Sequence, residues 1–200
     1  VTDELGNRFE ADYDSRGRRI EARDADAGVQ TFKYDAVGQV TEQTDAKGQT
    51  TSVIYDLLGR QISRTNPDGT STWTYDISPN GIGLIAKVTG PALGYERTHA
   101  YDQFSRPSST RVVIDGTPYV SSIDYDSYGR VLSETYPSGF VARRIYTVLG
   151  HLQAVEDGIS GEPFWTAVAV NASGEAVEEF LGSVLSTEKT FDPETGRIEK

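Results

Sequence analysis

The stretch Thr50–Gly69, TTSVIYDLLGRQISRTNPDG, decides the fold. Thr51, Val53 and Tyr55 alternate with Ser52 and Ile54 in a run of β-branched and aromatic residues, which is strand composition. Asp56-Leu57-Leu58-Gly59 then breaks the run. An Asp opening a turn bonds backbone two residues on, and a Gly at its end accepts positive φ. Arg60 to Thr65 resumes the alternation around Ile62. Asn66-Pro67-Asp68-Gly69 turns the chain again, with Pro presetting φ. The unit is therefore two short antiparallel strands and two tight turns.

Outward from this unit, the same signature recurs. Tyr-Asp stands at Tyr13-Asp14, Tyr34-Asp35, Tyr55-Asp56, Tyr75-Asp76, Tyr101-Asp102 and Tyr125-Asp126, with steps of 21, 21, 20, 26 and 24 residues. With 11 Tyr and 16 Asp in 200 residues, chance gives about one such pair against the six present. Gly17, Gly38, Gly59 and Gly129 lie four residues after their tyrosines. Weaker copies are Tyr146 with Gly150, Val170-Asn171 with Gly174, and Phe191-Asp192 with Gly196 one residue late. Nine units thus fill residues 1–200 with no internal boundary. Periods in the twenties mark arrays whose units bury no core alone and stack on their neighbours.

The second turn recurs at Asp24–Gly28, Asp45–Gly48 and Tyr136–Gly139. The array is irregular after Tyr75, where Ile77–Gly83 and Thr89–Gly94 lengthen the connections, and around Glu156–Pro163. Insertions in arrays go to loops. Glu175–Leu185 reads as strand despite Gly182. The tyrosines read as cross-strand packing residues that stack into a ladder. Gly59→Val is expected to be costly, and the same change at Ser105, where a repeat lacks its glycine, less so.

Hydrophobic residues are 36% of the chain, which suits a sheet open to water better than a thick core. The net charge of −11 argues against nucleic acid, whose phosphates need a basic stripe, and against anionic lipid. With no cysteine there is neither a disulfide framework nor thiol catalysis. No apolar run approaches the roughly 18 residues of a membrane span, so no membrane insertion by this segment is expected.

Catalytic and metal chemistry finds little footing. His99 and His151 fall in different repeats without a ligand companion at recognised spacing. His151 takes the slot after the turn glycine that Arg18, Arg60 and Arg130 occupy elsewhere. Asp12–Gly17 and Asp124–Gly129 superficially resemble calcium loops but lack the further oxygen ligands and terminal Glu. Asp124 and Asp126 flank Tyr125, where a carboxylate pair could meet a cation, against ordinary turn capping. The expectation is no enzyme, no cofactor and no metal.

The segments Tyr34-Asp35-Ala36-Val37-Gly38, Tyr55-Asp56-Leu57-Leu58-Gly59-Arg60, Tyr125-Asp126-Ser127-Tyr128-Gly129-Arg130 and Tyr13-Asp14-Ser15-Arg16-Gly17-Arg18 resemble the YD repeat of the RHS (rearrangement hotspot) family. That family includes bacterial RHS toxins, Tc toxin shell components and teneurins. The resemblance implies an all-β fold of tandem antiparallel hairpins in a continuous sheet that spirals into a hollow shell. It implies a structural wall segment that encapsulates or presents a toxin or effector domain outside this chain, secreted or at the bacterial surface. The partners are then flanking repeats and that cargo; the alternative is adhesion to a cell-surface glycan or receptor. The family's self-cleavage segment and toxin domain have no counterpart in these residues. The chain has no Met and reads as strand at Leu5–Tyr13 and Phe191–Ile198, so a fragment of a longer shell is expected. Free strand edges would then template edge-to-edge self-association.

Overall fold

The structure, a computed structural model, describes residues 8–92, 94–182 and 184–199. The start of the expected Leu5–Tyr13 strand and Leu93 of the long connection lie outside those residues. The described residues form seventeen β-strands and no helix. The chain divides into two compact units, Val1–Ser105 with Val112–Pro118, and Arg106–Arg111 with Tyr119–Lys200.

The first unit carries β1 (Glu10–Tyr13), β2 (Arg19–Asp24), β3 (Gly28–Tyr34), β4 (Val40–Thr44), β5 (Thr50–Tyr55), β6 (Gln61–Asn66), β7 (Gly69–Tyr75), β8 (Ile85–Thr89) and β9 (Glu96–Tyr101). Each strand pairs antiparallel with the next in chain order, as the hairpin reading requires. Directly opposite residues share a face. One face therefore holds Ala22, Phe32, Gln43, Val53, Trp73 and Val88 with the tyrosines. The other is a polar ladder in which Thr31 faces Thr44, Ser52 faces Thr65, and Ser63 faces Thr72. Its hydroxyls satisfy one another: Thr44–Thr50 at 3.0 Å, Thr65–Thr70 at 2.9 Å and Thr72–Thr89 at 2.6 Å. The ion pairs Lys33–Glu42 (2.7 Å) and Lys87–Glu96 (2.6 Å) lie on the same face.

The second unit follows the same rule through β11 (Thr117–Tyr125), β12 (Val131–Thr135), β13 (Val141–Tyr146), β14 (Leu152–Asp157), β15 (Pro163–Val170), β16 (Ala176–Leu181) and β17 (Leu185–Glu188). β10 (Pro107–Ile114) precedes them. Glu175–Leu185 is strand as expected, except that a turn at Gly182, with φ +60°, splits it into β16 and β17.

No thick core forms. Among the described residues only Ala22, Gly81, Ala86, Val88, Ala154 and Glu179 are buried, and no large side chain is fully enclosed. Stability must then come from the backbone ladders and from side chains tying hairpin to hairpin.

The Tyr-Asp turns at Asp14, Asp35, Asp56 and Asp126 close in one way, whereas the Asp76 turn runs on to Leu84, whose carbonyl accepts the Asp76 amide at 3.2 Å. In the Asp56 turn, the Gly59 amide donates to the Asp56 carbonyl at 3.0 Å and the Asp56 amide to the Arg60 carbonyl at 2.9 Å. This is a type I turn closed by a left-handed residue, and the ladder slips one register at Ile54/Tyr55. Gly59 supplies the left-handed φ of +79°. Ser105 ends the equivalent Asp102 turn, and its φ is also positive, +61°. The absent glycine therefore does not mean a relaxed turn, and the expectation that Val costs less at Ser105 than at Gly59 is corrected.

Gly59→Val is expected to cost on the order of 1–3 kcal/mol, since a β-branched residue is forced into left-handed backbone. Ser105→Val is expected to be similarly destabilising, whereas Ser105→Gly gains up to about 1 kcal/mol by relieving strain. Urea unfolding of the three variants checks this; a neutral Ser105→Val with a destabilising Ser105→Gly would contradict it.

Candidate functional site

The distinctive geometry of the chain is the joint between consecutive hairpins, where the repeat residues meet. It begins with the turn aspartate. Asp56 Oδ1 accepts the amides of Leu58 and Arg60, both at 2.9 Å. Asp14 and Asp126 accept the equivalent amides at 2.8 and 2.9 Å, and at 2.9 and 2.9 Å. Asp35 accepts those of Val37, Gly38 and Gln39 at 3.0, 2.8 and 2.9 Å. The second carboxylate oxygen of Asp14, Asp56 and Asp126 accepts from Nε of Arg18, Arg60 and Arg130, at 2.6, 2.7 and 2.7 Å.

That arginine points onward to the next repeat. The guanidinium carbons of Arg18, Arg60, Arg106 and Arg130 lie 4.8, 4.3, 4.0 and 4.1 Å from the ring centroids of Tyr34, Tyr75, Tyr125 and Tyr146. At this range a cation is drawn to the ring face. The tyrosine completes the joint from the other side. The hydroxyls of Tyr34, Tyr55, Tyr75, Tyr101, Tyr125 and Tyr146 donate to the carbonyls of Arg19, Val40, Gln61, Ile85, Pro107 and Val131, at 2.7, 2.9, 3.0, 2.6, 2.8 and 2.8 Å. Each acceptor lies on the second strand of the preceding hairpin. Tyr13, whose side of the sheet has no such preceding hairpin in the described residues, is 60% exposed.

The turn glycine has a second reason to be glycine. A Cβ on Gly59 would stand 3.2 Å from Gln39 Nε2, one on Gly129 3.0 Å from Arg106, and one on Gly150 3.2 Å from Arg130. On Gly174 it would meet His151 Nδ1 at 2.6 Å. The residue after one glycine thus lies against the next glycine along the array. His151 behaves as the arginines do, donating its amide to Thr147 Oγ1 at 3.1 Å.

Arg60 makes the fullest joint. Beyond Asp56 it forks onto Asp76, with Nη1–Oδ1 at 3.1 Å and Nη2–Oδ2 at 2.7 Å. The Asp76 carboxyl is held below its usual value of 3.8, first by Arg60 and then by the Gly83 amide. Asp56 is also lowered, chiefly by the Arg60 amide, with the Arg60 side chain adding to it.

The calcium candidates Asp124 and Asp126 are each committed to other partners. Asp126 is taken by its own turn, while Asp124 accepts from Ser133 Oγ at 2.9 Å. No group of three or more metal-ligating side chains occurs among the described residues. The backbone carbonyl of His99 accepts from Ser78 Oγ at 2.8 Å, and burial, with the charge of Arg97, pushes its ring pKa down. One polar cluster had no sequence signal. Glu179 is 8% exposed and accepts Trp165 Nε1 at 2.8 Å, Thr187 Oγ1 at 3.0 Å and Lys189 Nζ at 2.6 Å. Its partners come from two segments, Trp165 on β15 and Thr187 with Lys189 at the end of β17, and no repeat spacing links them.

Two outcomes are expected of these joints. Tyr75→Phe costs about 0.5–1.5 kcal/mol in denaturant unfolding, the net worth of one hydrogen bond. For pH, Asp56 and Asp76 are depressed in the fold, so the unfolded chain binds more protons in acid. Their stabilisation is complete above about pH 4–5 and lost as pH falls through the folded-state values. The melting temperature is therefore level near neutrality and falls in acid, less steeply for Arg60→Ala than for wild type. A melt unchanged by acid, or steeper in the variant, would contradict the Arg60 clasp.

Residues 34–71 match the family model described as RHS Repeat. No curated protein matches the chain. Among solved structures, the crystal structure of TcdB2-TccC3 aligns over 95% of this chain with a TM-score of 0.77 and 18% identity. That of TcdB2-TccC3-Cdc42 aligns with the same values. The Photorhabdus luminescens Tc holotoxin pore aligns over 95% with a TM-score of 0.74 and 19% identity. This chain spans 11% of the length of each of those chains. Residues 34–71 thus match an RHS repeat, and they are set in an all-β hairpin array that shares its fold with the TcdB2-TccC3 structures.

Proposed function

We propose that this chain is a structural wall segment of an RHS-type β-shell, secreted or surface-delivered, that encapsulates or presents a toxin or effector domain outside the chain. The observation that carries the reading is the joint itself. Six tyrosine hydroxyls are spent on backbone carbonyls of preceding hairpins. Side chains so committed extend an array and offer little to a substrate. The self-satisfied threonine ladder is likewise suited to a wall. In this reading the flanking repeats are the first partners, the cargo is the second, and the segment turns over no substrate.

The rival reading, adhesion to a cell-surface glycan or receptor, loses the tyrosine ladder as a stacking platform but has one observation in its favour. A polar groove of about 250 Å³ lies beside the turns at 45–49 and 66–68, with Gln43, Gln49, Thr51 and Asn66 in its lining. Amides and hydroxyls of this kind bond to sugar hydroxyls.

Electron cryomicroscopy of the parent protein tests the wall. The expected result is residues 8–199 forming part of a closed wall around a separate domain; a ribbon open on both faces with nothing enclosed would overturn it. Glycan-array binding by this chain that is abolished by Gln43→Ala with Gln49→Ala would favour the rival.

A further inference from the structure

The two edges of the first unit differ in chemistry. The turns that follow tyrosines present Val37, Leu57, Leu58, Ile77 and Ile82 at their tips, exposed at 83%, 105%, 76%, 69% and 80%. The described residues of the opposite turns at 24–28, 45–48 and 66–69 carry no exposed large apolar side chain, and the turn at 114–117 carries one, Ile114, exposed at 49%. Folding gives no reason for the first pattern. Tip positions of a type I turn accept most residues, and polar ones cost nothing in water. Successive hairpins are two strands apart, so their tips stand roughly 10 Å from one another along the edge.

Charge differs in the same sense. The apolar-edge turns hold Asp14, Asp35, Asp56 and Asp76 against Arg16, Arg18 and Arg60. Arg18 pairs with Asp14, and Arg60 with both Asp56 and Asp76. The opposite turns hold Asp24, Asp26, Asp45 and Asp68 against Lys47 alone. In a chain of net charge −11, the apolar edge is therefore the one along which two copies can approach without strong repulsion.

We propose that this edge is a homotypic docking surface: two copies of the chain associate through the apolar tips of their Tyr-Asp turns, related by a two-fold axis. A two-fold interface uses the same patch on both partners, which suits an edge that is apolar from Val37 to Ile82 and near-neutral in charge. The area is sufficient. Five exposed side chains of this size offer on the order of 100 Å² each. The resulting stripe, roughly 500 Å², is at the upper end of what monomers expose. It equals the apolar share of a standard interface, about 57% of about 800 Å² per partner. A seat for a partner's tip is also present. A cleft of about 480 Å³ opens between the turns at 35–39 and 55–59, with Val37, Val53, Ile54 and Leu57 in its lining. The surface is the row of turn tips, distinct from the unpaired strand edges, and the proposal is independent of whether the array walls a shell.

The absence of cysteine makes the contact directly readable. Leu57→Cys and, on the opposite edge, Ala46→Cys are each oxidised mildly at micromolar concentration, and wild type is followed by sedimentation. The expected result is a wild-type mass that rises from monomer toward dimer with concentration. Leu57→Cys gives disulfide dimers at least tenfold faster than Ala46→Cys, and adding Leu58→Ser slows them. Side-chain changes at 57 and 58 leave the turn's backbone bonds in place, and circular dichroism matching wild type verifies the fold. Equal rates at the two cysteines, or mixed Leu57→Cys/Ala46→Cys dimers dominating a mixture, would overturn the two-fold arrangement. A wild-type monomer at all concentrations would overturn association, including one that binds zwitterionic vesicles instead.

Discussion

One hydrogen bond, from a tyrosine hydroxyl to the carbonyl that opens the preceding hairpin's second strand, is the constraint on which the rest depends. It recurs six times. Its acceptor follows directly on the arginine, glutamine or other residue after the turn. The bond thus fixes the angle and the register of one hairpin against the last. An array with so few buried residues needs such a device, because burial alone does not hold its units together.

Around that bond, each motif residue acquires two tasks. The aspartate caps its own turn and anchors the arginine. The arginine neutralises the aspartate and covers the next tyrosine. The glycine supplies left-handed backbone and leaves room for the side chain arriving from behind. Substitutions follow the same logic. Gln39 reaches the Gly59 carbonyl at 2.8 Å in place of an arginine, and His151 packs its ring against Gly174. Where the glycine is missing at Ser105, the backbone stays left-handed. The joint, and not any one residue type, is what the array keeps.

The distribution of polarity follows from the thinness of the sheet. With water within reach of both faces, a strand can alternate aromatic and hydroxyl residues without burying either. The threonine ladder satisfies its own hydroxyls across strands, and the charged pairs sit where lysine meets glutamate directly opposite, as Lys33 meets Glu42, or diagonally across the ladder, as Lys87 meets Glu96. Glu179 is the exception: a carboxylate nearly out of water is held ionised by Lys189, Trp165 and Thr187. Sheet and side chains together therefore make a surface that is chemically quiet, apart from the row of apolar tips.

Much of this was legible in the sequence. The Tyr-Asp period named the hairpins, the Asp-to-Gly interval located the turns, and alternation in Thr50–Tyr55 and Gln61–Asn66 placed the strands, because strand period and turn φ are local properties. His151 could be assigned to the arginine slot by offset alone, and Gly196 to a turn one residue longer, with its amide reaching the Asp192 carbonyl at 2.8 Å. Tertiary structure decided what those residues touch. The tyrosine hydroxyl finds its acceptor 14 to 18 residues back, and Arg60 forks onto Asp76, 16 residues on. The left-handed Ser105 and the Glu179 cluster carried no local signal either. Periodicity fixes where a side chain stands along its own hairpin; only the stacking of hairpins sets the distance to the next.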